Sequence, residues 1–124
     1  MLHTSLNIDY LQRKLIDQTI GSRIFYHDAL VSTMDEARDL AERNEPDGTL
    51  VVVEEQKSGR GRFNRIWISP RSQNLSFSIV LRPSISQLPY INMAATLAVA
   101  KCVSSVTGRQ TRIKWPNDVR IDGL

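Results

Sequence analysis

Asn74-Leu75-Ser76-Phe77-Ser78-Ile79-Val80-Leu81 is the stretch on which the fold turns. Leu75, Phe77, Ile79 and Leu81 alternate with Ser76, Ser78 and Val80, the period of two that marks a strand in a sheet with unlike faces. Pro83 stops it. Upstream, Leu50-Val51-Val52-Val53 is continuously apolar, as in a strand covered on both faces, and Pro46-Asp47-Gly48 turns the chain into it. Arg23 to Tyr26 reads as a short strand and Gln110 to Trp115 as another. Helical spacing intervenes. Ile8, Leu11, Leu15 and Ile16 share a stripe with Asn7 as cap, and Gly21 ends that element. Ser32 or Thr33 caps a second helix, with Met34, Ala37, Leu40 and Ala41 on its apolar stripe and Asp35 and Glu36 at its N-terminus. An Ala-rich helix runs from about Leu88 to Val106, closed by Gly108. These elements predict an α+β domain, a mixed β-sheet with helices packed on it. Val119-Arg120-Ile121 before Asp122-Gly123 predicts the opening of a hairpin whose return strand is missing, so the chain reads as truncated after Leu124.

At 124 residues the chain is read as one domain, residues 1–124, large enough to bury a core without staples. Its 41% hydrophobic and 23% charged residues place it with ordinary soluble proteins rather than disordered or membrane chains. Cys102 is the sole cysteine, so an internal disulfide and a cysteine metal cluster are excluded; its apolar helical setting predicts a buried, inert thiol. The apolar run from Ile91 to Val103 is interrupted by Asn92 and Lys101 and falls short of the about 20 residues a membrane span takes. Met1 to Leu6 has no signal-peptide pattern, which makes the cytoplasm the expected compartment.

Charge is distributed unevenly. From Gln56 to Asn117 there are ten Lys or Arg residues and no acid, whereas residues 1–55 hold eleven acids and five bases. Such asymmetry builds one face for anions. It opens with Gly59-Arg60-Gly61-Arg62-Phe63-Asn64-Arg65-Ile66-Trp67, and Gln56 to Ile66 reads as a long mobile loop. Arg60, Arg62 and Arg65 present guanidinium forks suited to phosphate or carboxylate. Gly59 and Gly61 let backbone N–H groups approach a compact anion. A solvated loop of RGG type that binds RNA weakly is the other reading of the charge. Trp67 and Trp115, each beside basic residues, favour a pocket with aromatic walls for a flat ring. A Walker A loop is absent. The run closes with Lys114-Trp115-Pro116-Asn117-Asp118, where a cation, an amide and a carboxylate at one strand end suit an anionic substrate with a metal ion.

Three segments in order, G-R-G-R-F-N-R-I-W-I-S-P, N-L-S-F-S-I-V-L-R-P and K-W-P-N-D, closely resemble the catalytic domain of biotin protein ligases (biotin–[acetyl-CoA-carboxylase] ligases). The resemblance covers about Ile20 to the end. It implies a class II synthetase-like fold, with this chain as its N-terminal portion. It also implies a two-step reaction: biotin and Mg-ATP give biotinyl-5′-AMP and pyrophosphate, and a lysine of a biotin carboxyl carrier protein domain then takes the biotinyl group. By the same resemblance Ser32, Thr33, Gln56, Gly59, Arg60 and Lys114 line the biotin site. Arg62, Arg65, Trp67 and Asn117 face the nucleotide, and Asp118 helps to place Mg²⁺. Lys114, Arg60 and Arg62 carry the catalytic charge, since joining a carboxylate to a triphosphate brings two anions together. The nucleophiles are then substrate groups, which accounts for the lack of a Ser-His-Asp or Cys-His set.

This chain departs from the family pattern at Met34, where Asn is usual, and at Asn64, where many members have Gly. The residues ahead of the domain are too few for a winged helix-turn-helix, so repressor function and nucleic acid are not expected, nor is a membrane. A homodimer is left open. Two other functions stand beside the ligase: a lipoate or octanoate ligase or transferase of the same fold, against which G-R-G-R and K-W-P-N-D speak, and a basic nucleic-acid-binding module.

Overall fold

A computed structural model describes residues 5–124, and the chain divides into two compact units, one up to Arg82 and one from Pro83 to Leu124. In the first unit, helix α1 (Ile8–Leu15) starts where the Asn7 side chain accepts a hydrogen bond from the Tyr10 N–H at 2.9 Å. Ile8, Leu11 and Leu15 of its expected stripe are half-buried, while Ile16, just past its end, is exposed. Strand β1 (Ile24–Leu30) pairs in parallel with β2 (Leu50–Arg60), Ile24 opposite Leu50 and Leu30 opposite Gln56. Along the other edge of β2 lie two antiparallel partners end to end. Strand β4 (Ser76–Ile79) pairs with Leu50–Val53, and β3 (Ile66–Ser69) pairs with Gln56 to Arg60. The result is a four-stranded sheet, mixed as the sequence predicts, with β3 an addition to the strands expected from it.

Helix α2 (Thr33–Glu42) lies on one face of this sheet. Ser32 is its cap, accepting from the Met34 N–H at 3.2 Å. Leu40, at 2% exposure, packs with Val51 and Val80, and Phe25, Leu30, Ala37 and Ala41 join the cluster. Burying a side chain such as Leu40 is worth about 1.5–3 kcal/mol. Val51, Val52 and Val53 are all buried, in accord with a strand covered on both faces. Met34 leaves the expected stripe and is half exposed.

The alternation in β4 is present, but its small face is the covered one. Ser76 is buried and Val80 belongs to the core, whereas Leu75 and Phe77 are exposed. Hydrogen bonds account for this. Ser76 Oγ lies 2.5 Å from Ser69 Oγ, and Ser78 Oγ lies 2.8 Å from Thr33 Oγ1, so the buried hydroxyls satisfy one another.

In the second unit, helix α3 (Leu88–Thr107) ends at Gly108 in the left-handed conformation (φ 66°) and packs on a hairpin of β5 (Thr111–Lys114) and β6 (Asp118–Ile121). The register runs from Thr111 opposite Ile121 to Lys114 opposite Asp118. Val119–Ile121 is therefore not unpaired: β5 supplies a ladder along one of its edges. The Asp122-Gly123 signal is met by positive φ at both residues. Helix α3 buries only Thr96 and Ala100 fully, and Cys102 is exposed, correcting the buried thiol expected from its apolar neighbourhood. That apolar composition runs round the whole helix, so it gave no cue to which side the hairpin takes. Among the described residues no helix is long and apolar enough to cross a membrane.

Candidate functional site

The segment Gln56 to Ile66 is more ordered than a free loop. Strand β2 continues through it to Arg60, a single 3₁₀ turn at Arg62–Asn64 reverses the chain, and β3 returns. Gly61 N–H donates to the Arg65 carbonyl at 2.8 Å and closes the tip. Phe63 and Asn64 both take φ of 57°. Asn tolerates that left-handed conformation better than most residues. Gly59 is buried and sits opposite Trp67, and a Cβ there would meet the Trp67 carbonyl oxygen at 2.9 Å. Only glycine lets the two strands come this close. A register shift between Gln56 and Gly59 re-aims the end of β2.

Five of the residues assigned to biotin by resemblance gather where α2 begins. Thr33 N–H and Oγ1 both donate to Gln56 Oε1, at 2.9 and 3.2 Å. Ser32 and Thr33 are each 3% exposed, and Gly59 and Arg60 follow along β2. Arg60 forms an ion pair with Asp35 in the first turn of α2. Arg62 instead lies over the Phe63 ring, its Cζ 5.2 Å from the centroid, so the two arginines do not work as a parallel pair. Among the described residues neither Arg62 nor Arg65 has an ion-pair partner, and Trp67 stands more than half exposed on β3. The hairpin therefore carries uncompensated guanidinium groups and an open indole at one end of the sheet, with the partly positive start of a helix beside it.

Lys114, Asn117 and Asp118 come together at the β5–β6 turn of the second unit, Lys114 and Asp118 as ladder partners. The Pro116 carbonyl accepts from Asn92 Nδ2 at 3.2 Å and Thr96 Oγ1 at 3.4 Å, pinning the turn to α3. Beside it, Tyr90, Met93, Leu97, Ile113 and Trp115 line an open cavity of about 380 Å³, an apolar wall of the kind expected for Trp115. Among the described residues no group of three His, Cys, Asp or Glu could hold a metal alone.

Sequence reasoning passed over three polar groups. Asp35, which by its place in the first turn complements the α2 dipole, is also the partner of Arg60. Glu54 is buried, accepting from Tyr26 Oη at 2.9 Å and Leu6 N–H at 2.8 Å. Arg71 grips Asp28 at 2.5 and 2.6 Å, tying the β3–β4 connection to β1. That guanidinium holds the Asp28 carboxyl below its usual range. Burial, followed by the bond to Glu54, pushes the Tyr26 phenol up. An acid directly continuing an apolar run, as Glu54 does after Val53, is the one signal that pointed to any of them.

A mixed sheet with a glycine-bearing basic hairpin set against a helix N-terminus has the charge and the backbone donors that suit a compact anion. The chain belongs to the Biotin/lipoate A/B protein ligase family, whose sequence profile matches residues 27–124. It is 42% identical over 108 residues to the bifunctional ligase/repressor BirA of Bacillus subtilis (strain 168), covering 86% of this chain and 33% of that protein. The structure is similar to biotin protein ligase from Leishmania major in complex with biotinyl-5-AMP, with a TM-score of 0.73 and 25% identity over 82% of this chain and 48% of the other. It is also similar to biotin protein ligase from Aquifex aeolicus in complex with biotin and ATP, with a TM-score of 0.61 and 32% identity over 78% of this chain and 40% of that one. The chain thus spans a third to a half of the length of these relatives.

Proposed function

We propose that this chain forms the biotin- and nucleotide-binding portion of an ATP-dependent biotin protein ligase. One observation carries the reading: Ser32, Thr33, Gln56 and Arg60, drawn from two separate sequence regions, converge at the start of α2 on the root of the basic hairpin. In the first step a biotin carboxylate oxygen attacks the α-phosphorus of Mg-ATP, and the bond to the departing pyrophosphate breaks. In the second, the amine of a carrier-domain lysine attacks the acyl carbon, AMP leaves with the bonding pair, and the amine gives up a proton. Ser32, Thr33, Gln56, Gly59 and Arg60 take the biotin end. Arg62, Arg65, Trp67 and Asn117 take the nucleotide, and their cations offset the repulsion between carboxylate and triphosphate. Lys114 spans the carboxylate and the α-phosphate. Asp118 contributes one carboxylate to Mg²⁺, a role that fits because this ion draws most of its ligands from water and substrate phosphates. The cytoplasm is the proposed compartment, and a biotin carboxyl carrier domain the protein substrate.

Titrating biotinyl-5′-AMP, lipoyl-5′-AMP and a duplex oligonucleotide into the protein tests this. Saturable binding of the biotinyl adenylate in preference to the lipoyl one is expected, with little loss on raising salt. Preference for lipoyl-5′-AMP would move the assignment within the family. Affinity for the oligonucleotide alone, falling steeply with salt, would overturn it.

A further inference from the structure

Among the described residues Arg60 is the one arginine of the hairpin in an ion pair. It is the last residue of β2, opposite Ile66, and its Nη2 donates to Asp35 Oδ1 across to the first turn of α2. The basic run itself offers no carboxylate, because residues 56–117 contain no acid, so the partner comes from outside it. The hairpin crowds Lys57, Arg60, Arg62 and Arg65 into a short length, and their mutual repulsion tends to splay it. Asp35 is also approached by Arg38 Nη1 at 3.8 Å, from its own helix. The neighbouring Glu36 is turned to His27, 3.5 Å away, and takes no part.

Two bridges therefore tie β2 to the start of α2: Thr33 to Gln56, and Asp35 to Arg60. Both partners of the second bridge remain well exposed, so it adds little to global stability. Its consequence lies in geometry. A guanidinium has five N–H donors, and Asp35 occupies one edge through Nη2, leaving the Nε and Nη1 donors for a second anion. An arginine whose rotamer is fixed beforehand loses less entropy when it grips its ligand.

We propose that Asp35 is a positioning residue for Arg60, holding its guanidinium against the first turn of α2 so that the hairpin is set before the anionic ligand arrives. This rests on the acyl-adenylate reading of the site for its ligand, but its structural half does not. Asp35→Ala removes the anchor, Asp35→Glu keeps the charge, and Arg60→Gln serves as the partner in a double-mutant cycle. Dissociation of biotinyl-5′-AMP should be about tenfold faster in Asp35→Ala and stay within about threefold of the parent in Asp35→Glu. In the Arg60→Gln background Asp35→Ala should add nothing. Exchange of the Gly61 amide in the ligand-free protein should follow the same pattern, faster only where Arg60 is present.

An effect of Asp35→Ala equally large without Arg60 would overturn the proposal, as would slower dissociation, which would make Asp35 a competitor of the ligand. If the parent fails to bind biotinyl-5′-AMP, the ligand assignment falls. The Gly61 exchange cycle then decides the positioning claim alone, and unchanged exchange in Asp35→Ala refutes it.

Discussion

Replacing Gly59 with Ala tests whether the basic segment is a close-packed hairpin. The added Cβ would meet the Trp67 carbonyl oxygen at 2.9 Å, Gln56 Nε2 at 3.1 Å and Trp67 Cβ at 3.2 Å. The first of these is backbone and cannot rotate away. The second is held, because Gln56 Oε1 accepts both donors of Thr33. Overpacking of this kind costs about 1–3 kcal/mol. Restricting the unfolded chain returns about 0.4–1 kcal/mol, since the backbone at Gly59 is not in a glycine-only conformation. A net loss of about 1–2 kcal/mol remains, a factor of about 5–30 in the opening equilibrium. It falls on the β2–β3 ladder and spares the Leu40–Val51–Val80 cluster. Native-state hydrogen exchange reads it directly: the Gly61 amide should exchange about 5–30 times faster, with Val51 to Val53 unchanged. Unaltered Gly61 protection would refute the close packing, and equal acceleration at Val52 would show that the hairpin does not open by itself.

Replacing Arg62 with Gly should leave the fold intact and release biotinyl-5′-AMP about ten to a hundred times faster, as expected for losing a charge-assisted bond worth about 1.5–3 kcal/mol; stopped-flow dissociation checks it, and retention equal to the parent would remove Arg62 from the phosphate. For pH, the Asp28 carboxyl is held below its ordinary value by Arg71, so its contribution is present above the unfolded value of 3.8 and is lost as pH falls through the lower folded one. Asp28→Asn should therefore lower the melting temperature at neutral pH and flatten its fall on the acid side, and an unchanged acid limb would contradict the pair.

Strand β3 is not legible in the sequence, but local patterns place the other strands, the caps at Asn7 and Ser32, and the C-cap at Gly108. Each rests on neighbours within one element. What escaped is the choice among faces and partners. Ser76 and Ser78 look like a solvent face by composition, yet Ser69 and Thr33 satisfy their hydroxyls and the face can be buried. Val119–Ile121 gains a partner through the turn before it, at Trp115-Pro116-Asn117, which carries no glycine to mark it in the sequence. The glycines of the basic segment suggested mobility. Gly59 instead permits close strand contact, which needs the identity of the facing residue to recognise. The convergence of Ser32, Thr33, Gln56 and Arg60 followed from the resemblance alone; Asp35 came only from the structure.

The most direct test of the account is an amide NMR titration of the protein with biotinyl-5′-AMP. The account predicts saturable shifts at Thr33, Gln56 and Gly59 to Arg65 in the first unit, and at Lys114, Asn117 and Asp118 in the second. Shifts confined to other surfaces, or none up to saturating adenylate, would contradict it.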